Sequence, residues 1–102
     1  MRIALCFVLL AGPVWAEGLD VAAALTGRTV DYDAALQTFH ADGTTDYVTD
    51  RPSAGRWVAR DGRYCSQWPP STEWACYDLR VEGLDVVFTD DRGNETTGRL
   101  RP

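Results

Sequence analysis

The chain has 102 residues, with ten basic and 15 acidic side chains giving a net charge of −5 at neutral pH. All ten basic residues are arginines, and the acidic balance repels phosphate backbones and anionic lipid heads, which disfavours nucleic-acid and membrane partners. A chain of this length holds one small domain with a thin core and is too short for a second.

The first segment, MRIALCFVLLAGPVWA, has the three parts of a secretory signal peptide. Arg2 supplies a positive start, Ile3 to Val14 an apolar run, and Val14 and Ala16 the small residues of a cleavage site. Cleavage after Ala16 is expected, leaving residues 17–102 as a single small β domain, periplasmic or secreted. The apolar run falls short of the roughly 20 residues a spanning helix needs, and Cys6 lies inside it rather than after it, so neither a transmembrane nor a lipid anchor is expected. Loss of Arg2 leaves nine arginines against 15 carboxylates, a net charge of −6. That charge keeps a small exported protein soluble and would favour a cationic partner.

From Gly18 to Leu25 the segment GLDVAAAL fits about two turns of helix ended by Gly27. Beyond it, short runs rich in Val, Tyr, Thr, Phe and Trp are separated by Asp-Gly, Glu-Gly and Arg-Gly-Asn. This punctuation predicts an antiparallel meander, with strands near residues 28–32, 35–40, 45–49, 55–60, 63–68, 75–81, 84–89 and 95–100. A two-residue turn at Asp61-Gly62 pairs Trp57 with Ser66, Val58 with Cys65 and Ala59 with Tyr64, which separates apolar from polar faces. A turn at Glu82-Gly83 pairs Val81 with Leu84, Leu79 with Val86, Tyr77 with Phe88 and Arg80 with Asp85. The hairpin around Asp42-Gly43 reads either as a two-residue turn or as a longer loop with a bulge. So many short strands must close as a barrel or fold into a sandwich, and the unbroken succession of hairpins favours the barrel.

With Cys6 removed in the leader, Cys65 and Cys76 remain as an even pair, and an oxidising compartment favours one disulfide between them. Both fall on the polar side of their strands, where a bridge displaces no core side chain. Closing a loop of about 12 residues contributes roughly 3 kcal/mol in the chain-entropy model. No CxxC or CxxCH spacing is present and there is one histidine, so no metal site or cofactor is expected.

The stretch GRWVARDGRYCSQWPPSTEWACY, with Gly-x-Trp entering a strand, Asp-Gly turning it and Cys, Trp-Pro-Pro and Trp-x-Cys-Tyr following, resembles a pattern in small bacterial periplasmic proteins. Phe39 and the Asp42-Gly43-Thr44 turn belong to the same pattern. The resemblance implies a small calycin-like β-barrel over residues 25–100. That family brings no established activity, so the resemblance assigns no site residues.

Catalytic constellations are absent from the sequence. His40 has no nucleophile motif and reads as a solvent-facing turn residue. Asp31 and Asp33, two apart, would share a strand face, but acidic composition alone generates such pairs. The segment Asp90-Asp91-Arg92-Gly93-Asn94-Glu95 lacks the ligand spacing of a calcium loop and reads as turn chemistry. What remains is the loop between the cysteines. Trp68, Pro69 and Pro70 favour a stiff extended backbone, and tryptophan is the residue type most enriched at binding hot spots. Trp68, Pro69, Pro70 and Trp74 are therefore candidate partner contacts, with burial of the tryptophans over the barrel end as the alternative. Trp74 is the better candidate for such a plug, Trp68 for a contact. The function expected is an exported, non-enzymatic binding or interaction module for a protein or small ligand. The second expectation is a secreted inhibitor of a cationic enzyme such as a lysozyme or protease.

Overall fold

A computed structural model describes residues 19–102; the predicted leader, its cleavage site and Cys6 lie outside the described residues. The helix α1 is a single turn, Val21–Leu25, shorter than the run from Gly18. Asp20 caps it by accepting the Ala23 N–H at 3.1 Å, and Gly27, at φ 77°, ends it where a side chain would be strained. Val21 and Leu25 are four residues apart, hence on one face, and both are buried.

Eight strands follow in chain order: β1 Thr29–Asp31, β2 Leu36–Phe39, β3 Thr44–Val48, β4 Pro52–Arg60, β5 Arg63–Gln67, β6 Trp74–Glu82, β7 Asp85–Thr89 and β8 Glu95–Leu100. Each pairs antiparallel with the next, and β1 pairs with β8, so the sheet is a closed barrel rather than a sandwich. The closing seam is short, with two paired positions, Val30 with Leu100 and Asp31 with Arg99. Gly98 sits beside it because a Cβ there would collide with Val30 and Tyr32.

The turns fix the registers. Asp61 and Gly62 both take positive φ, 54° and 75°, as a type I′ turn requires, and Trp57 faces Ser66, Val58 faces Cys65 and Ala59 faces Tyr64 as expected. At the Asp42-Gly43 hairpin the longer loop forms. The His40 N–H donates to the Thr44 carbonyl at 2.9 Å and the Gly43 N–H to the His40 carbonyl at 3.1 Å, with Gly43 at φ 91° as the bulge. Between β6 and β7 the expected pairing is corrected. Gly83, at φ 63°, occupies the first central position of the turn, so Gly83-Leu84 forms it and Glu82 faces Asp85. Val81 then faces Val86 and Leu79 faces Phe88, while Arg80 faces Val87 instead of Asp85. The shift preserves every residue's face because it moves the pairing by two positions. Asp85 instead meets Arg99 of β8 at 3.0 Å.

The two ends of the barrel differ. At one end α1 lays Val21 and Leu25 onto a core that includes Val30, Phe39, Trp57, Val86 and Leu100. Phe39 is fully buried and meets Trp57 and Tyr64 edge-on, at ring-centroid distances of 5.5 and 5.6 Å. The Trp57 indole N–H donates to the His40 carbonyl at 2.9 Å, so this end is satisfied as well as packed. Among the described residues no helix covers the other end, where the loops β1–β2, β3–β4, β5–β6 and β7–β8 meet.

An open aromatic cavity beside the disulfide-stapled loop

Cys65 and Cys76 face each other across β5 and β6 and are bonded. The loop they staple does not run extended. The Ser71 N–H donates to the Trp68 carbonyl at 3.0 Å, so Trp68, Pro69, Pro70 and Ser71 form a tight turn. The Gln67 amide reaches across the loop to the Thr72 carbonyl at 3.0 Å. Pro69 and Pro70 are exposed.

The two tryptophans take opposite sides, and Trp74, the expected plug, is the one that lies outside the barrel. Trp74 is 37% exposed because it shares strand parity with Cys76 on the outer face; there it carries the Arg60 guanidinium at 5.4 Å from its ring. Trp68 continues the inward parity of Tyr64 and Ser66 and turns into the barrel mouth. Its indole N–H donates to Ser66 Oγ at 3.2 Å. Its ring lies on Gly55, where a Cβ would come within 2.5 Å of the indole; the glycine is therefore the seat of the tryptophan.

Behind Trp68 opens a cavity of about 450 Å³, with Trp68 and Pro69 in its wall. All four tyrosines of the chain, Tyr32, Tyr47, Tyr64 and Tyr77, line it together with Phe88. The rings form a continuous chain of contacts. Centroid distances are 5.9 Å from Trp68 to Tyr47, 6.1 Å from Tyr47 to Tyr32, 6.1 Å from Tyr32 to Phe88 and 5.2 Å from Phe88 to Tyr64. Tyr77 stacks at a tilt on Tyr64 at 5.8 Å.

Gln37 organises the polar part of this wall. Its amide nitrogen donates to Thr45 Oγ1 at 3.0 Å and to the Tyr64 hydroxyl at 3.1 Å, and its carbonyl accepts from the Tyr32 hydroxyl at 2.8 Å. Thr45 passes its own proton to the Thr38 carbonyl at 2.8 Å. Burial pushes the Tyr32 hydroxyl far above the ordinary tyrosine range, and the nearby Tyr64, Tyr47 and Tyr77 phenols push it further. Burial also raises Tyr64, partly offset by hydrogen bonds from Ser66 and Gln37. The two phenols are neutral across the physiological range. The remaining cavity-lining residues are Ser53, Ala54, Ser66, Pro69 and Thr96 beside the aromatic residues and Gln37, so among the described residues the lining holds no acidic or basic side chain.

Charge sits instead on the loops around the mouth. Residues 32–35, 49–51, 68–73 and 90–94 contain Asp33, Asp50, Glu73, Asp90 and Asp91 against Arg51 and Arg92. Of these, Asp90 shapes its own turn, while Asp91 pairs with Arg63 at 2.8 Å. Asp90 accepts the N–H groups of Arg92 and Asn94, each at 2.9 Å; these bonds, that of Asn94 foremost, hold its carboxyl below the usual range. The segment is a capped turn, as its residue types indicated.

The other sequence candidates stay apart from the cavity. His40 does lie at a hairpin turn, on the closed side, with Nε2 2.8 Å from Asp46 Oδ2. Asp31 and Asp33 do not share a strand face, because β1 ends at Asp31 and Asp33 turns away at φ 83°. The Asp33 N–H donates to Asp31 Oδ1 at 2.9 Å. Among the described residues no three His, Cys, Asp or Glu side chains cluster as a metal site, and no helix is long and apolar enough to cross a membrane.

The tyrosines, Gln37 and Phe88 were not singled out by the sequence. Their signal was parity: Tyr64 and Tyr77 were already on inward faces of registered hairpins, and the inward position of Trp68 follows from the same count. No family model, curated protein or solved structure matches the chain.

Proposed function

We propose that the chain is an exported, non-enzymatic binding module that takes a small ligand into the open mouth of the barrel, with the stapled loop as one wall. The observation that carries this reading is the cavity itself. Its volume of about 450 Å³ lies within the roughly 300–1,000 Å³ of small-molecule sites. Apolar and aromatic surface predominates in its walls, and a few fixed hydroxyl and amide groups converge on it. The disulfide and the Trp68 turn supply rigidity, so little order has to be gained on binding. A binding role also suits the chemistry, since the cavity offers neutral phenols and an amide but no nucleophile paired with a base.

The test uses N-phenylnaphthylamine, a neutral dye that brightens in apolar sites, with the purified disulfide-bonded domain. Saturable enhancement is expected in the wild-type protein and its loss in Ser53→Phe, which places a ring in the mouth without touching the closed end. Enhancement that is absent, or equal in both proteins, rejects the cavity as the binding site. Retention of a protein partner by Ser53→Phe, with loss in Trp74→Ala, would support the outer face and the inhibitor reading instead.

A further inference from the structure

We infer that the ligand of this cavity is a small organic cation, with a quaternary or alkylated ammonium head held among the tyrosine, tryptophan and phenylalanine rings. The inference rests on the binding reading above and adds the chemical class of the ligand.

Three features converge on it. The rings of Trp68, Tyr47, Tyr32, Phe88 and Tyr64 follow one another at centroid separations of 5.2 to 6.1 Å, so a ligand in the mouth meets aromatic surface from several sides. Aromatic faces carry the negative lobe of the ring quadrupole and attract cations within about 6 Å, most strongly where water is excluded. An alkylated ammonium suits such a wall because its methyl groups pack as apolar surface while its charge needs no hydrogen-bond acceptor.

The Gln37 network is oriented the same way. The Tyr32 hydroxyl gives its proton to Gln37 Oε1, which leaves its oxygen lone pairs as the only hydrogen-bonding capacity it can offer a ligand. Gln37 in turn spends both amide protons on Thr45 and Tyr64. Among the described residues of the cavity wall an anion would find no arginine or histidine, only neutral hydroxyls to replace its hydration.

The approach is biased too. Five carboxylates and two arginines occupy the loops of the open end, and the whole chain is acidic. That field attracts cations and repels anions. A neutral apolar ligand would pack against the rings but would gain nothing from their quadrupole, from the field or from the Tyr32 lone pairs.

Choline, neohexyl alcohol and tert-butylacetate provide the test, because a trimethylammonium head, a tert-butyl group and a tert-butyl group bearing a carboxylate have nearly one shape and three charges. Each is titrated against the wild-type domain carrying bound N-phenylnaphthylamine, with benzyltrimethylammonium as a larger cation. Choline is expected to displace the dye at least about tenfold more tightly than neohexyl alcohol, as expected for one desolvated cation–π contact. Benzyltrimethylammonium should be tighter still and tert-butylacetate weakest. Tyr47→Leu, which keeps apolar bulk but removes a ring, should weaken the cations several-fold and leave neohexyl alcohol nearly unchanged. Neohexyl alcohol matching choline, or dye that binds but yields to neither cation, overturns the cation assignment while the cavity reading stands. Failure of the dye itself to bind, with no heat released by any of the four compounds, removes both.

Discussion

A buried glutamine needs partners for two donors and an acceptor oxygen, and Gln37 finds them in Thr45, Tyr64 and Tyr32. This arrangement was hard to read from LQTF, where apolarity points Leu36 inward and Gln37 outward. The strand does the reverse: Gln37 is buried and Leu36 only partly so, because Phe39, two residues on, must enter the core and carries Gln37 to the same face. The tyrosines that Gln37 orders give a pH signature. Tyr32 and Tyr64 have hydroxyls raised above their ordinary value of 10.0 in the folded state, so the folded chain holds protons that the unfolded chain releases. Their contribution is complete below pH 10 and falls as pH rises above it. Ultraviolet titration of phenolate should therefore show these two tyrosines ionising together with loss of the barrel. Tyr64→Phe should be less stable at pH 7, by about 1 kcal/mol for the lost hydrogen bond, yet lose less stability between neutral and alkaline pH. Ionisation of Tyr32 and Tyr64 at ordinary pH in a barrel that stays folded would contradict the buried network.

At the scale of elements, eight strands and their order were legible because Val, Tyr, Thr and Trp runs alternate with glycine-containing turns, a signal that depends on neighbouring residues alone. Asp61-Gly62 fixed its register because a two-residue turn with both residues at positive φ admits few alternatives. Glu82-Gly83 misled because a glycine can stand first or second in such a turn, and the choice depends on Leu84 packing against the core. Closure of the barrel depends on β1 meeting β8, a contact between chain ends that leaves no local trace. The disulfide was legible by counting: Cys65 and Cys76 occupy directly paired positions on β5 and β6. Replacing both by serine should lower stability by about 2–4 kcal/mol, read as a lower urea midpoint with a slope at least as steep, because the unfolded chain without the bridge is less compact. A midpoint that does not fall would mean that the bridge adds nothing to the stability of the barrel.

For the molecule as a whole, the division of labour runs along the barrel axis. One end is closed by α1; the other is left open by the same strands and lined with rings of which Tyr64 and Phe88 are buried and Tyr32, Tyr47, Trp68 and Tyr77 only partly so. Stability and binding should then respond to different substitutions. Leu25 is fully buried in the closed end, so Leu25→Ala leaves a cavity that cannot fill with water and should cost about 2–5 kcal/mol. Trp68 is a larger side chain, yet it is only partly buried and forms a wall of the open cavity. Trp68→Ala should cost less, about 1–2 kcal/mol, because water occupies the vacated space without losing hydrogen bonds. Trp74→Ala, on the outer face, removes one exposed contact with Arg60 and should stay within about 1 kcal/mol. Urea unfolding of the three variants orders them as Leu25 above Trp68 above Trp74, while dye binding falls most for Trp68→Ala. A Trp68→Ala variant as destabilised as Leu25→Ala would make the indole a core residue and the mouth a packed end, since a preformed cavity can lose part of its wall far more cheaply than a closed core can lose a leucine.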